Sequence, residues 1–231
     1  MLTASYRIGA MLLILFVLPA NAERPALPDL AAPPHGSAQW IARSMRMNGL
    51  PMSLKAFESR LPPEAVLAHY ESELKASGSH DVRRAVNAPW QVSMLRSRDH
   101  FITVHARLAA SGSEGTILVS PALHPAALKM QTDFPRPRTT RIVNLQQYDD
   151  AGMQSEHISL SSERAPFTEA QAFSQLLITQ GWNVIDTRPA RESYRGFVLE
   201  AQRQAEQALV VIIPDTARPS TTAIVVTWKK S

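Results

Sequence analysis

Not one of the 231 residues is cysteine, so no disulfide, thiolate metal site, thiol nucleophile or thioether-linked haem can form. Aromatic residues make up only 6% of the chain. There is no HExxH pair, phosphate-cradling glycine loop, dinucleotide fingerprint or Gly-x-Ser-x-Gly elbow, which removes the sequence signatures of the common metallohydrolases, nucleotide binders and α/β hydrolases. The seven histidines are scattered. His100 and His105 are an odd number of residues apart in one expected strand and so point to opposite faces, and His69 meets only Glu73 along a helix. No catalytic residue, cofactor site or metal site is assigned.

Long apolar runs are equally scarce. The longest is Ile8 to Leu18, preceded by Arg7 and followed by Pro19 and the small triplet Ala20-Asn21-Ala22. That order reads as a Sec-type signal peptide over residues 1–22 with cleavage before Glu23, and the run is too short for a membrane span. The expected address is the periplasm, an uncleaved anchor being the alternative. An exported protein without disulfides relies on its core alone, and the rest of the chain is long enough for one large or two small domains.

What the sequence does contain is a fixed-period echo. Asn48–Gly78 aligns without a gap on Ala151–Gly181 at a spacing of 103 residues: Gly49 falls on Gly152, Ser59 on Ser162, Pro63 on Pro166, Tyr70 on Phe173, Leu74 on Leu177 and Gly78 on Gly181. Such recurrence of turn and core positions marks a duplicated module. Asn48-Gly49 predicts a tight hairpin, and the acidic "YDDAG" its longer counterpart. Pro63, Val66, Leu67, Tyr70 and Leu74 predict a helix start and a buried stripe, with Glu71 facing water; Gly78 stops the helix. The second helix has Thr168 and Gln171 as its capping box, Ala170, Phe173, Leu176 and Leu177 as its stripe, and Gly181 as its stop. Downstream, "WQVSML", "FITVHARL" and "TILVS", then "FVLEA", "ALVVII" and "TTAIVVTW", read as three-strand antiparallel meanders. The fold class is therefore α+β: two tandem related modules, each an antiparallel sheet covered by one helix. The expected divisions are a proline-rich extended leader over 23–41, a first module over 42–122, a proline- and arginine-containing linker over 123–139 and a second module over 140–231.

Charge is mild, formally +4, and concentrated early: residues 42–122 carry ten Lys/Arg against seven Asp/Glu, 123–141 four against one, and 142–231 eight against ten. Without an RNP-like or other basic-aromatic motif, nucleic acid is not an expected partner. The reading that follows is a non-enzymatic periplasmic accessory or adaptor protein that binds another envelope protein, with an acidic surface or the anionic membrane face as further contacts. The expected contact residues are Arg136, Arg138 and Arg141 of the linker, where proline stiffens an arginine-bearing segment, and Thr222, Ile224, Val226 and Trp228 of the final strand, taken as an open edge for strand addition. Two alternatives stand beside it: a small-ligand or lipid-head-group binder using the cleft between modules, and a hydrolase whose site assembles only in space.

Overall fold

The computed structural model describes residues 27–76, 78, 81–97, 99–123, 128–150, 152–190 and 196–230. The signal-peptide reading of residues 1–22 lies outside the described residues. Twelve strands and two helices follow in the order β1 (Gly36–Met47), β2 (Leu50–Ser59), α1 (Pro63–Ala76), β3 (Asp81–Asn87), β4 (Trp90–Arg96), β5 (His100–Ala109), β6 (Gly112–Pro121), β7 (Arg141–Asp150), β8 (Met153–Ser162), α2 (Pro166–Thr179), β9 (Asn183–Pro189), β10 (Phe197–Arg203), β11 (Glu206–Pro214) and β12 (Thr222–Lys230). The protein is thus α+β, dominated by antiparallel sheet.

All twelve strands join in one sheet, ordered β3-β4-β5-β6-β2-β1-β7-β8-β12-β11-β10-β9. The order runs identically inward from either end: the strand after the helix lies outermost and the first strand of each hairpin lies at the centre. The central joint is short. β1 pairs with β7 only at Met45↔Tyr148, Arg46↔Gln147 and Met47↔Gln146. Asn48 extends it by one step, its N–H donating to the Leu145 carbonyl and its Oδ1 accepting from the Leu145 N–H, both at 2.8 Å.

Register places both helices on the same face. Leu95, Ile102, Val104, Ile117 and Val119 pack with Phe57 against Val66, Leu67, Tyr70 and Leu74 of α1. Alternation from Phe57 along β2 brings Pro51 to that face, and the pairs Pro51↔Arg46, Arg46↔Gln147, Gln147↔Glu156 and Glu156↔Trp228 carry it into the second half. There Trp228 joins Leu145, Ile158, Phe173, Leu177 and Ile212 in the core under α2. Among the described residues the opposite face has no helix, and a packed cluster of Ala42, Met45 and Met52 with Leu54, Leu118 and Tyr148 sits there over the joint.

Local details correct several sequence expectations. Each meander has four strands, since β3 and β9 form in addition to the three expected. Glu71 is buried at 8% exposure because Arg84 Nε and Nη2 bind its two oxygens at 2.7 and 3.0 Å and Ser93 Oγ donates at 2.7 Å. α2 begins at Pro166 with Ala165 as N-cap and no side-chain cap, so Thr168 and Gln171 lie inside the helix and form no capping box. The expected acidic turn is mostly strand: β7 runs to Asp150, and Gly152 takes the positive φ of 88°. Asn48 and Gly49 turn as expected, at φ 53° and 84°; a Cβ on Gly49 would stand 2.5 Å from the Lys129 carbonyl oxygen.

The segments preceding β1 and β7 pack on the sheet. Leu27 and Leu30 lie against the first core, the Tyr70 hydroxyl donates to the Ala31 carbonyl at 2.9 Å, and Ser59 Oγ donates to Pro34 O at 2.9 Å. In the other half Phe134, from the stretch expected to be a linker, is 3% exposed and contacts both Trp182 and Trp228.

Candidate functional site: the unpaired stretch of β1

Because β7 pairs with only the last residues of β1, the stretch Gly36–Ser44 has, among the described residues, a strand on one side alone. Its regular part is Gly36–Trp40, paired to β2 in the order Gly36↔Ser59 through Trp40↔Lys55; irregularities follow at Trp40/Ala42 and Ala42/Met45. The Arg60 N–H donates to the His35 carbonyl at 3.2 Å. Antiparallel alternation from that bond turns the N–H and C=O of Ser37 and Gln39 toward β2, and those of Gly36, Ala38 and Trp40 outward. Three residues thus offer backbone donors and acceptors at an open edge.

Sequence explains why this edge differs from the two outer ones. Edge strands are ordinarily guarded by charge, proline or bulges. β3 carries Asp81, Arg83 and Arg84, while β9 carries Asp186, Arg188 and a terminal Pro189, with Arg188 bound to Asp186 and, at 2.7 Å, to Glu200. Gly36-Ser37-Ala38-Gln39-Trp40 has no charge at all. Trp40 is held on the helix side beneath two cations, Lys55 Nζ 4.4 Å and Arg43 Cζ 5.3 Å from the ring centroid. Lys55 is itself fixed by the Leu30 carbonyl at 2.7 Å and the Asp29 carboxylate.

On the helix-free face beside this edge lies a half-open cavity of about 440 Å³ whose walls include Ser37, Gln39, Ala56, Glu58, Trp90 and Glu114. Glu58 stands directly across from Glu114 in the β2·β6 register. Arg107 Nε binds Glu114 at 2.7 Å, and its guanidinium lies 4.7 Å from the Trp90 ring centroid. His105 packs against the same ring at 6.2 Å, and burial pushes its imidazole below the usual histidine range. A second cavity, about 490 Å³, opens over the joint between Ile41, Ala42, Ser44, Tyr148, Met153, Ser155 and His157. There the Tyr148 and His157 rings meet edge to face at 5.9 Å.

The sequence-expected contact residues fall elsewhere. Thr222, Ile224, Val226 and Trp228 are all buried, at 2% exposure or less. β12 is hydrogen-bonded to β11 on one side and β8 on the other, so it offers no edge, and the apolar alternation that suggested a binding strand is that of a core strand. Arg136 is half-buried and turned back on its own segment, its Nη1 donating to the Thr140 carbonyl at 2.8 Å. Arg138 and Arg141 are exposed, and the structure does not bring them to the β1 edge. The residues that do form the edge fell within the expected leader. The signal in the sequence was the alternation of Ala38 and Trp40 with Ser37 and Gln39, which the prolines before it obscured.

Among the described residues no group of three or more His, Asp or Glu side chains is placed to hold a metal ion, and no helix is long and apolar enough to cross a membrane. Comparison with protein-family models, with curated proteins and with solved structures finds no match to this chain.

Proposed function

We propose that the chain is an exported, non-enzymatic envelope protein that binds an extended segment of another protein along Gly36–Trp40 of β1. The observation that carries this reading is the contrast among edges: charged at β3 and β9, uncharged and regular at Gly36–Trp40. Three outward backbone pairs and a sheet continuing beneath them suit strand addition, in which main-chain bonds supply affinity and alternate side chains supply selectivity. Export rests on the amino-terminal pattern of residues 1–22, and the periplasm is the compartment that pattern implies.

The same reading treats the two halves as tandem related modules, residues 42–122 and 140–231 with their preceding segments. Three observations support it: the mirrored strand order, the positive φ of Gly49, Gly78, Gly152 and Gly181, and Ser59 and Ser162 accepting at 3.1 Å from the N–H two residues on. The counterparts Met45 and Tyr148, 103 residues apart, also stand opposite each other in the joint, as two copies do across a two-fold axis.

Ala38→Pro tests the binding reading, because proline removes an outward donor while β1 keeps its bonds to β2. Affinity capture of the full chain from its native envelope under mild cross-linking should yield a partner that the Ala38→Pro protein, equally stable to heat, fails to retain. Equal retention by both proteins overturns the reading. A second reading, a small-ligand binder, is favoured by the cavity at Tyr148 and His157. Native mass spectrometry of the purified protein should then detect a co-purified small molecule that Tyr148→Ala loses.

A further inference from the structure

We infer that the strand accepted by β1 carries a lysine or arginine level with Ser37 and Gln39, its charge held by Glu58 over the helix-free face. This rests on the strand-addition reading and specifies the chemistry of the partner.

Ala38 packs toward the first core, so alternation lifts Ser37 and Gln39 onto the opposite face. A strand added beside them lifts every second side chain onto that face as well, along the 440 Å³ cavity. The cavity's lining holds two carboxylates and no cation, Arg60 standing with Glu58 in the adjoining recess without pairing to it. Glu58 and Glu114 oppose each other directly in adjacent strands, an arrangement that is unfavourable for like charges. Arg107 answers Glu114, whereas Glu58 is exposed and makes no ion pair among the described residues. The Trp90 face is already covered by Arg107, so the indole forms a wall and Glu58 remains the free acceptor.

Reach decides which cation fits. Strands lie about 4.8 Å apart, which puts the incoming backbone roughly 10 Å from that of β2. A short side chain cannot span this distance across β1. The methylene stem of lysine or arginine can, lying over Ser37 and Gln39 while its head meets the glutamate. An acidic side chain would add a third carboxylate, and an apolar one would leave Glu58 unanswered.

The full chain can be titrated with three blocked seven-residue peptides of alternating valine and threonine, identical except for lysine, norleucine or glutamate at the central position. Amide chemical shifts of Gly36, Ala38 and Trp40 locate binding and give Kd. The lysine peptide should bind about tenfold tighter than the norleucine peptide, the size of one charge-assisted contact, and the glutamate peptide should bind weakest. Glu58→Gln, at an exposed site, should abolish the lysine advantage, so that the lysine and norleucine peptides bind it equally. Equal lysine and norleucine affinities, with the β1 amides shifting, would sink the cation site and leave strand addition standing. If no peptide moves those amides, strand addition itself is overturned.

Discussion

The two halves fill one helix-on-sheet plan by different chemistry. In the second half an aromatic residue descends from the segment before β7: Phe134 lies 5.8 Å from Trp182 and 5.4 Å from Trp228, centroid to centroid. The residue 103 positions earlier is Ala31, with no ring to offer; its carbonyl is held by the hydroxyl of Tyr70, whose own counterpart is Phe173. Both leading segments are tied down by side-chain hydrogen bonds, the second through Thr132 to Glu156 and Thr139 to Glu169, the first through Tyr70, Ser59 and Lys55; what the second adds is an aromatic plug. Hydrogen bonds can be exchanged with water at modest cost, whereas a plug in an aromatic cluster cannot be withdrawn without opening a cavity. The free stretch of β1 follows directly after the segment without a plug, and residues 141–144 of β7, which β1 likewise leaves unpaired, follow the plugged one.

Removing the plug should have the largest effect. Phe134→Ala takes out a ring that is 3% exposed and leaves the two tryptophans facing a void, for an expected loss of about 3–5 kcal/mol in urea denaturation. Leu30→Ala in the first half, where the side chain is only partly buried, should lose far less. Equal losses would show that both leading segments act as plugs and would end the contrast.

What was legible in the sequence were the elements whose side chains obey one dominant period. Val66, Leu67, Tyr70 and Leu74 form the expected buried stripe, and the glycines at 49, 78, 152 and 181 turn the chain where expected. β3 and β9 escaped notice because they are outer strands, exposed at nearly every position and paired on one side, so neither core alternation nor an apolar run marks them. Phe134 was hidden by its setting among prolines, since a segment can be extended and still carry a core residue. The β12 residues carry a related ambiguity: Thr222-Ala-Ile-Val-Val-Thr-Trp228 has the composition of a binding strand and of a core strand alike, and its place between β8 and β11 is what distinguishes them. The unpaired stretch of β1 depends on the length of a joint between residues about 100 apart, which no local pattern encodes.

A smaller effect separates the glutamates that each helix buries. Glu71 is bound by Arg84 and Ser93, and the arginine's hydrogen bonds hold its carboxyl below the usual glutamate range despite burial. Glu169 is fully buried, accepts from Ser162 Oγ at 2.7 Å and Thr139 Oγ1 at 2.9 Å through Oε1, which lies 3.9 Å from Arg164 Nε, and its Oε2 has no hydrogen-bond partner among the described residues. Glu71→Gln should cost about 1–2 kcal/mol at pH 7, limited by the half-exposed Arg84. Glu169→Gln, which keeps an acceptor and removes a buried charge, should stay within about 1 kcal/mol. The sign with pH follows from the lowered folded value: the Glu71 contribution is complete above the unfolded pKa of about 4.3 and disappears as pH falls through the folded one. Urea midpoints of wild type and Glu71→Gln should therefore draw together as pH falls below about 4.3. A gap that stays constant with pH would mean that Glu71 acts through packing and not through its charge.

The smallest change bears most directly on the comparison. Tyr70→Phe gives the first half the residue that the second already has at Phe173, removing one hydroxyl and no apolar surface. The Ala31 carbonyl loses its donor at 2.9 Å, but Ala31 is exposed and water can replace the bond, so global stability should fall by only about 0.5–1 kcal/mol. The local consequence should be larger than the global one, because the side chains of Tyr70, Ser59 and Lys55 hold a segment that carries no aromatic plug. Limited proteolysis within residues 27–35 should accelerate several-fold in Tyr70→Phe while cleavage within 128–140 stays unchanged. If both segments resist equally in the variant, the first is retained by Leu27 and Leu30, and the two halves close their cores in the same way.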